Sequence, residues 1–237
     1  DPNFYRTVAG IAIPIGLQGL ITTGINMMDT IMIGTLGETE LSAVSLANQF
    51  INIYQILCMG IGMGASVLVS RYYGMKDKVS MQKTVAIMTR FCLVIASVFA
   101  LLTCLFPGAI MRIYTVEDVI IQNGERYLSW SVVTYFLLGL SLTGTIVLRN
   151  VGQVKIPLFT SIGAFFVNIL ANYMFIFGKL GAPAMGVAGA AIGTLIARIF
   201  EFSVIDGFLW FREKSIEFRL KNFFMPVGEL WGEYIRI

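Results

Sequence analysis

The chain has 237 residues, of which 57% are hydrophobic and 13% are charged, and its mean hydropathy is +0.78. Soluble domains usually carry about 25% charged residues, so this composition excludes an ordinary water-soluble globule and favours a protein solvated by lipid. The net charge is only +3 and the chain has no histidine, so we expect neither a nucleic-acid partner nor imidazole chemistry.

Six apolar segments are long enough to cross a bilayer as helices, which takes roughly 20 mainly apolar residues. In chain order their approximate limits are 8–33, 41–70, 84–106, 127–149, 156–178 and 186–211. They are longer than the strands of a membrane barrel, which run to about ten alternating residues. The sequence therefore predicts an all-α integral membrane protein, a bundle of six transmembrane helices, followed by a cytoplasmic linker over 212–237.

Positive charge alternates between the two sides of this predicted bundle. One side carries 11 Lys and Arg residues, whereas the three loops on the other side, 34–40, 107–126 and 179–185, carry three. By the positive-inside rule, both ends of the chain are expected in the cytoplasm and the bundle in the inner (plasma) membrane. The chain opens without Met and stops at Ile237, so we expect a fragment of a longer protein.

The first predicted span carries polar residues on one face. A helix of 3.6 residues per turn places the following four side chains within an arc of roughly 80°: Gln18, Thr22, Asn26 and Asp29. Asp29 is either a solvated aspartate near the outer end or a cation or proton site that opens into a cavity. Pro14, in the middle of the same span, removes a backbone hydrogen bond and permits a kink.

Three other spans carry polar residues at helical spacing. In the second span, Asn48 and Asn52 either bond neighbouring helices or line a water-filled cavity. In the fifth, Asn168 and Asn172 lie one turn apart, so their amides either bind a cation or bond a neighbouring helix. In the sixth, which also carries Thr194, the positions 198 and 201 hold an arginine and a glutamate that are expected to pair as a structural anchor.

Recognisable catalytic chemistry is missing from the sequence. No Walker motif, G-x-S-x-G, H-E-x-x-H or paired C-x-x-C is present. Cys58, Cys92 and Cys104 each lie within an apolar run and are expected to be small apolar fillers. We therefore expect no enzyme and no organic cofactor, and a transporter driven by an ion gradient is the simplest interpretation.

Small residues recur four apart in two places, a spacing that lets membrane helices approach closely. Gly60 and Gly64 form one such G-x-x-x-G pair, and Gly189 and Gly193 form another.

Four stretches resemble a known family. They are the run Met28-Asp29-Thr30 to Gly37, the loop from Arg149 to Pro157, the stretch from Asn168 to Gly181, and the small-residue run from Gly186 to Thr194. Together they resemble the MATE (multidrug and toxic compound extrusion) family over nearly the whole chain. The resemblance implies one lobe, the amino-terminal one, of a twelve-helix antiporter that exports organic cations in exchange for Na⁺ or H⁺. It also implies a second six-helix lobe as partner.

Carried over position by position, Asp29 matches the acid of that family's first helix, where Na⁺ or H⁺ would bind. Asn168 and Asn172 match its fifth-helix polar pair. In some proton-linked members the second position is an acid, so Asn172 is more similar to the sodium-linked bacterial branch. Asn150 and Thr194 are further candidates for the ion site. Gln18, Thr22, Asn26, Asn48 and Asn52 are the candidates for a substrate cavity, and Pro14 is the candidate hinge.

Two alternatives stay open at this stage. A lipid or polysaccharide flippase of the same superfamily would be expected to line its cavity with more basic residues. A non-transporting membrane module, which pairs with a partner, would also suit a six-helix fragment. An intramembrane enzyme lacks any assembled nucleophile and base.

Overall fold

The computed structural model describes residues 2–213 and, beyond them, residues 216, 222, 224–226, 228 and 232. Most of the predicted linker at 212–237 therefore lies outside the described residues. Within the described part the regular structure is entirely helical. The helices are α1 (Pro2–Gly34), α2 (Glu38–Gly74), α3 (Lys78–Leu105), α4 (Pro107–Arg112), α5 (Asp118–Asn150), α6 (Lys155–Phe177) and α7 (Val187–Phe211).

The six long helices are each apolar and long enough to span a membrane, which confirms the predicted all-α bundle of six spans. Their ends follow local chemistry. Asp77 caps α3 by accepting a hydrogen bond from the Ser80 backbone N–H at 3.1 Å. Hydrogen bonds from Ser80 also hold the pKa of the Asp77 carboxyl group below its usual value. Gly178 ends α6 in the left-handed conformation, with φ 66°, which glycine adopts without steric cost.

The segment 107–126, which the sequence predicts as an outer loop, is largely helical. It contains α4, which begins at Pro107, and the first turns of α5, which begins at Asp118. Proline is favoured in the first turn of a helix because its missing N–H would have no partner there. Met111 of α4 is fully buried and packs over Gly124 of α5. Asp118 and Arg126 are thus exposed residues of α5 rather than parts of a loop.

Helix α5 lies at the centre of the bundle, where it packs against α2, α3 and α7. Sixteen of its residues are buried. Helix α1 lies at the periphery and packs mainly against α6. Among its described side chains, only those of Gln18, Met32 and Ile33 are buried. Because α1 lies at the periphery, it packs less extensively against the other helices than α5 does.

The two predicted glycine pairs behave differently. A side chain at Gly189 would collide with the Phe175 backbone, and one at Gly193 would collide with the Asn172 amide, so both glycines allow α7 to approach α6 closely. Gly60 and Gly64 have open space beside them, so their spacing does not mark a helix contact within the described chain.

The cysteines also differ from expectation in part. Cys58 of α2 and Cys92 of α3 are buried in one apolar cluster and contact each other. Cys104 is exposed on α3, so it does not fill the interior.

Candidate functional site

A cavity of about 650 Å³ lies between α1, α2, α5, α6 and α7. The structure places on its wall all five residues that the sequence nominates for a substrate cavity: Gln18, Thr22, Asn26, Asn48 and Asn52. Asp29, Asn168 and Thr194, nominated for an ion site, line it too. That any of these residues binds substrate or ion stays a prediction.

Asp29 of α1 meets the two asparagines of α6. The Asn172 Nδ2 atom donates a hydrogen bond to Asp29 Oδ1 at 2.5 Å and lies 3.3 Å from Asn168 Oδ1. The two amides share a helix face because they are four residues apart. Asn172 is fully buried and Asn168 is 1% exposed. Asp29 is therefore part of a polar group between two helices and does not point into open water.

One oxygen of this group is left without a partner. The Asn172 Oδ1 atom is buried and accepts no hydrogen bond from the described residues. It faces Gly193 of α7, where a side chain would collide with it. The Asp29 carboxylate and the Asn168 and Asn172 amide oxygens are hard ligands of the kind that alkali and alkaline-earth cations prefer. We call these three residues the Asp29 cluster.

Arg198 and Glu201 of α7 form an ion pair with a nitrogen–oxygen distance of 2.6 Å, as their spacing predicts. Both residues also line the cavity, which the expectation of a purely structural anchor did not include.

Helix α5 contributes a polar stripe that the sequence analysis missed. Thr134, Ser141, Thr145 and Arg149 line the cavity, and their spacing of seven, four and four residues places them on one helix face. That spacing was legible in the sequence, but Arg149 was assigned to a loop because it ends an apolar run. Tyr127, also on the cavity wall, donates a hydrogen bond to Asn48 Oδ1 at 3.1 Å.

Arg149 reaches from the last turn of α5 into the cavity. Its Nη2 atom donates a hydrogen bond to Gln18 Oε1 at 2.6 Å. Gln18 in turn donates from Nε2 to Ser161 Oγ of α6 at 3.0 Å. This relay, which we call the Arg149 relay, ties α1 to α5 and α6 at the opposite end of the cavity from Asp29.

Two nominated residues lie away from the Asp29 cluster. Asn150 neither lines the cavity nor contacts Asp29, because it follows Arg149 by one residue and so points about 100° away around the helix. Its Oδ1 atom accepts hydrogen bonds from Ser66 at 2.8 Å and Ser70 at 3.2 Å. The structure therefore does not bring Asn150 to the Asp29 cluster, and its assignment to the ion site stays a prediction. Pro14 lies within α1, which stays helical through it, one turn before Gln18.

Asp206 is a buried acid that was not among the candidates predicted from the sequence. This aspartate of α7 is 3% exposed and packs against Gly144 of α5, outside the cavity. Its Oδ2 atom has no hydrogen-bond partner among the described residues.

Residues 14–174 match the family model described as MatE. The chain is 26% identical over 230 residues to the probable multidrug resistance protein NorM of Thermotoga maritima, an alignment that covers 95% of this chain and 48% of that protein. It is 26% identical over 188 residues to the uncharacterized transporter YisQ of Bacillus subtilis, covering 78% of this chain and 41% of YisQ.

Among solved structures, a MOP superfamily transporter from Pyrococcus furiosus matches the fold with a TM-score of 0.86 at 21% identity. The match covers 98% of this chain and 50% of that one. The chain therefore spans about half the length of the curated relatives that it matches.

Proposed function

Because the chain belongs to the MatE family, we propose that it forms one six-helix lobe of a secondary active transporter that exports organic cations in exchange for Na⁺ or H⁺. The observation that carries this proposal is the Asp29 cluster, in which a carboxylate on the wall of a cavity accepts a hydrogen bond from the buried Asn172 amide, which also contacts the Asn168 amide. An intramembrane carboxylate is costly, so its presence indicates a functional site such as one for a cation or proton. The multidrug resistance named for the NorM relative supports the choice of cargo.

The proposed coupling begins at the Asp29 carboxylate. Na⁺ would take this carboxylate and the amide oxygens of Asn168 and Asn172 as ligands, whereas H⁺ would bind a carboxylate oxygen directly. Either ion neutralises Asp29 and changes the bond that Asn172 makes across the α1–α6 contact. Helix α1 then bends near Pro14 and reshapes the cavity, which lowers its affinity for the cation. A coupling free energy of about 1–3 kcal/mol would suffice for a 5–150-fold change in affinity.

The remaining parts of the proposal concern surroundings and partners. The lobe lies in the inner (plasma) membrane with both ends of this chain in the cytoplasm, since the basic loops face that side. Its partners are membrane lipid, a small organic cation and a second six-helix lobe. The last is supported by relatives of about twice this length. Transport needs no organic cofactor and no covalent chemistry.

The test is Asp29→Asn in the protein as its own gene encodes it, reconstituted in proteoliposomes. Efflux of a cationic dye is driven by an imposed Na⁺ gradient in one arm and by a pH gradient in the other. We expect at least a tenfold loss of gradient-driven efflux, because an amide cannot bind the coupling ion as a carboxylate does. The arm that drives the wild-type protein identifies the ion.

Asp118→Asn is the matched control, since it makes the same chemical change on an exposed residue at the start of α5. This variant should transport like the wild type. Undiminished efflux by Asp29→Asn would remove Asp29 from the coupling mechanism.

A lipid or polysaccharide flippase is the second candidate, and one observation favours it. Arg149 adds to the cavity a cation that could receive an anionic headgroup. Binding of an anionic lipid-linked sugar, together with no binding of cationic dyes, would reverse the preference.

A further inference from the structure

Arg149 is the cavity's uncompensated cation within the described chain. Arg198, the other arginine on the cavity wall, is paired with Glu201. Arg149 forms no ion pair with any described residue, and its one described side-chain bond is to the neutral amide of Gln18. Its Nε atom is buried without a hydrogen-bond partner. A guanidinium with an unpaired buried donor is suited to bind a planar anion such as a carboxylate, which it can contact through two parallel hydrogen bonds.

The surroundings of Arg149 favour such a ligand. Ser141 and Thr134 lie on the same face of α5 and line the same cavity. Their hydroxyl oxygens are buried and make no hydrogen bond to any described residue. The Arg149 relay holds the guanidinium in place through Gln18 and Ser161, so less side-chain freedom is lost when a ligand binds.

The charge of the cavity wall indicates what kind of molecule carries this anion. Two acids, Asp29 and Glu201, and two bases, Arg149 and Arg198, line the cavity, so their formal charges cancel. A net-anionic headgroup would find no net positive field there. A molecule with separated positive and negative groups complements the wall better, with its anion at Arg149 and its cation toward the acids.

We propose that Arg149, oriented by Gln18 and assisted by the hydroxyl of Ser141, is a subsite for the carboxylate of a zwitterionic organic cargo. The inference rests on the proposed export function and extends it by assigning the residue that would recognise the acid of a cargo molecule that also carries a cation. The step is non-covalent binding, so no bond is made or broken.

Two dyes that differ in one group test the subsite. Rhodamine 110 carries a free carboxylate, and rhodamine 123 is its methyl ester. Dissociation constants for both are measured by fluorescence anisotropy with the protein, as its own gene encodes it, in nanodiscs of zwitterionic lipid. In Arg149→Gln we expect the free acid to lose about tenfold more affinity than the ester, as for one lost charge-assisted hydrogen bond. Arg149→Lys should recover part of this difference, because an ammonium keeps the charge but not the fork of donors.

Arg112→Gln, which removes an exposed arginine at the end of α4, is the control and should leave the ratio of the two affinities unchanged. If both dyes lose affinity equally in Arg149→Gln, the subsite is overturned, since Arg149 would then only position α1. If neither dye loses affinity, the subsite is overturned as well. If phosphatidylglycerol in the nanodiscs displaces rhodamine 110 from the wild type but not from Arg149→Gln, the anion is a lipid headgroup and the cargo assignment is wrong.

The outcomes also separate this inference from the function on which it rests. Wild-type protein that binds neither dye would overturn both. Wild-type protein that binds and exports rhodamine 123 but ignores rhodamine 110 would overturn the carboxylate subsite and leave the export function standing.

Discussion

Helices α1 and α5 are equally long, 33 residues each, yet they hold opposite positions in the bundle. Helix α5 buries sixteen residues against its neighbours, whereas α1 has three buried side chains among those described. Because lipid is as apolar as the helices, association in a membrane depends on close packing and on polar contacts rather than on hydrophobic burial. Helix α5 is therefore the scaffold, whereas α1 packs mainly against α6 and bonds to α5 through Gln18.

Polar side chains attach α1 to its neighbours at two positions along its length, and both positions lie beside the cavity. Asp29 bonds to Asn172 near one end, and Gln18 bonds to Ser161 and Arg149 near the other. Hydrogen bonds of this kind in a membrane average about 0.6 kcal/mol and rarely exceed about 2 kcal/mol. An ion at one position or a cargo molecule at the other can therefore shift α1 without disturbing the scaffold.

Glycine substitution gives the largest expected contrast between the two helices. In α5, Gly139→Ala places a methyl group against the Tyr54 hydroxyl, which donates a buried hydrogen bond to the Tyr135 carbonyl at 2.7 Å. Overpacking of this kind costs about 1–3 kcal/mol. In α1, Gly16→Ala meets open space and should not destabilise the protein. Unfolding in detergent with increasing SDS measures both free energies, and equal values would contradict the distinction between the scaffold helix α5 and the peripheral helix α1.

Removal of the contact between Asp29 and Asn172 should affect coupling more than folding. Asn172→Ala deletes the donor to Asp29 and the amide oxygen beside Gly193. We expect gradient-driven dye efflux to fall about tenfold, which corresponds to about 1.4 kcal/mol of lost coupling. Asn123→Ala, outside the cavity on α5, is the control for an asparagine substitution. If both variants transport equally well, the amide has no part in the ion site.

The hinge predicted at Pro14 is tested by Pro14→Ala. Alanine restores the backbone hydrogen bond that proline removes, so α1 should become stiffer and the ion-driven change in the cavity smaller. We expect a several-fold fall in efflux together with slower hydrogen exchange of the amides around residue 14. Pro183→Ala, in the exposed turn before α7, should change neither quantity. Faster exchange in Pro14→Ala would argue against the hinge.

The smallest expected effect comes from removal of the contact between Gln18 and Ser161. Ser161→Ala removes the acceptor for Gln18, and its cost should be about 0.6 kcal/mol. Gln18 and Asp29 are about 16 Å apart along α1, so the stability effects of Ser161→Ala and Asn172→Ala should add. Ser203→Ala, an exposed serine bonded within α7, is the matched control. A strongly non-additive double variant would mean that α1 moves as one rigid unit with α6.

The sequence predicted the polar faces of α1, α2 and α6 because a buried polar side chain on an apolar helix stands out against its neighbours. It missed the stripe on α5, since Ser and Thr are common in membrane helices and Arg149 closes an apolar run. It also placed Asn150 in the ion site, although one residue of helical rotation turns that side chain toward Ser66 and Ser70. Periodicity identifies a face, but not the neighbour that this face meets.

The amino-acid sequence by itself determined the membrane character, the all-helical fold and the number of spans, because these depend on local hydropathy and on the length of each apolar run. It also singled out Asp29, Asn168 and Asn172 as costly polar residues. Only the tertiary structure decided that these three meet, that Arg149 joins Gln18 in the same cavity, and that α1 is the loosely packed helix. Those relations join residues up to 143 positions apart, which is the separation of both the Asp29–Asn172 and the Gln18–Ser161 bonds. Such contacts depend on how whole helices pack, which no local pattern encodes.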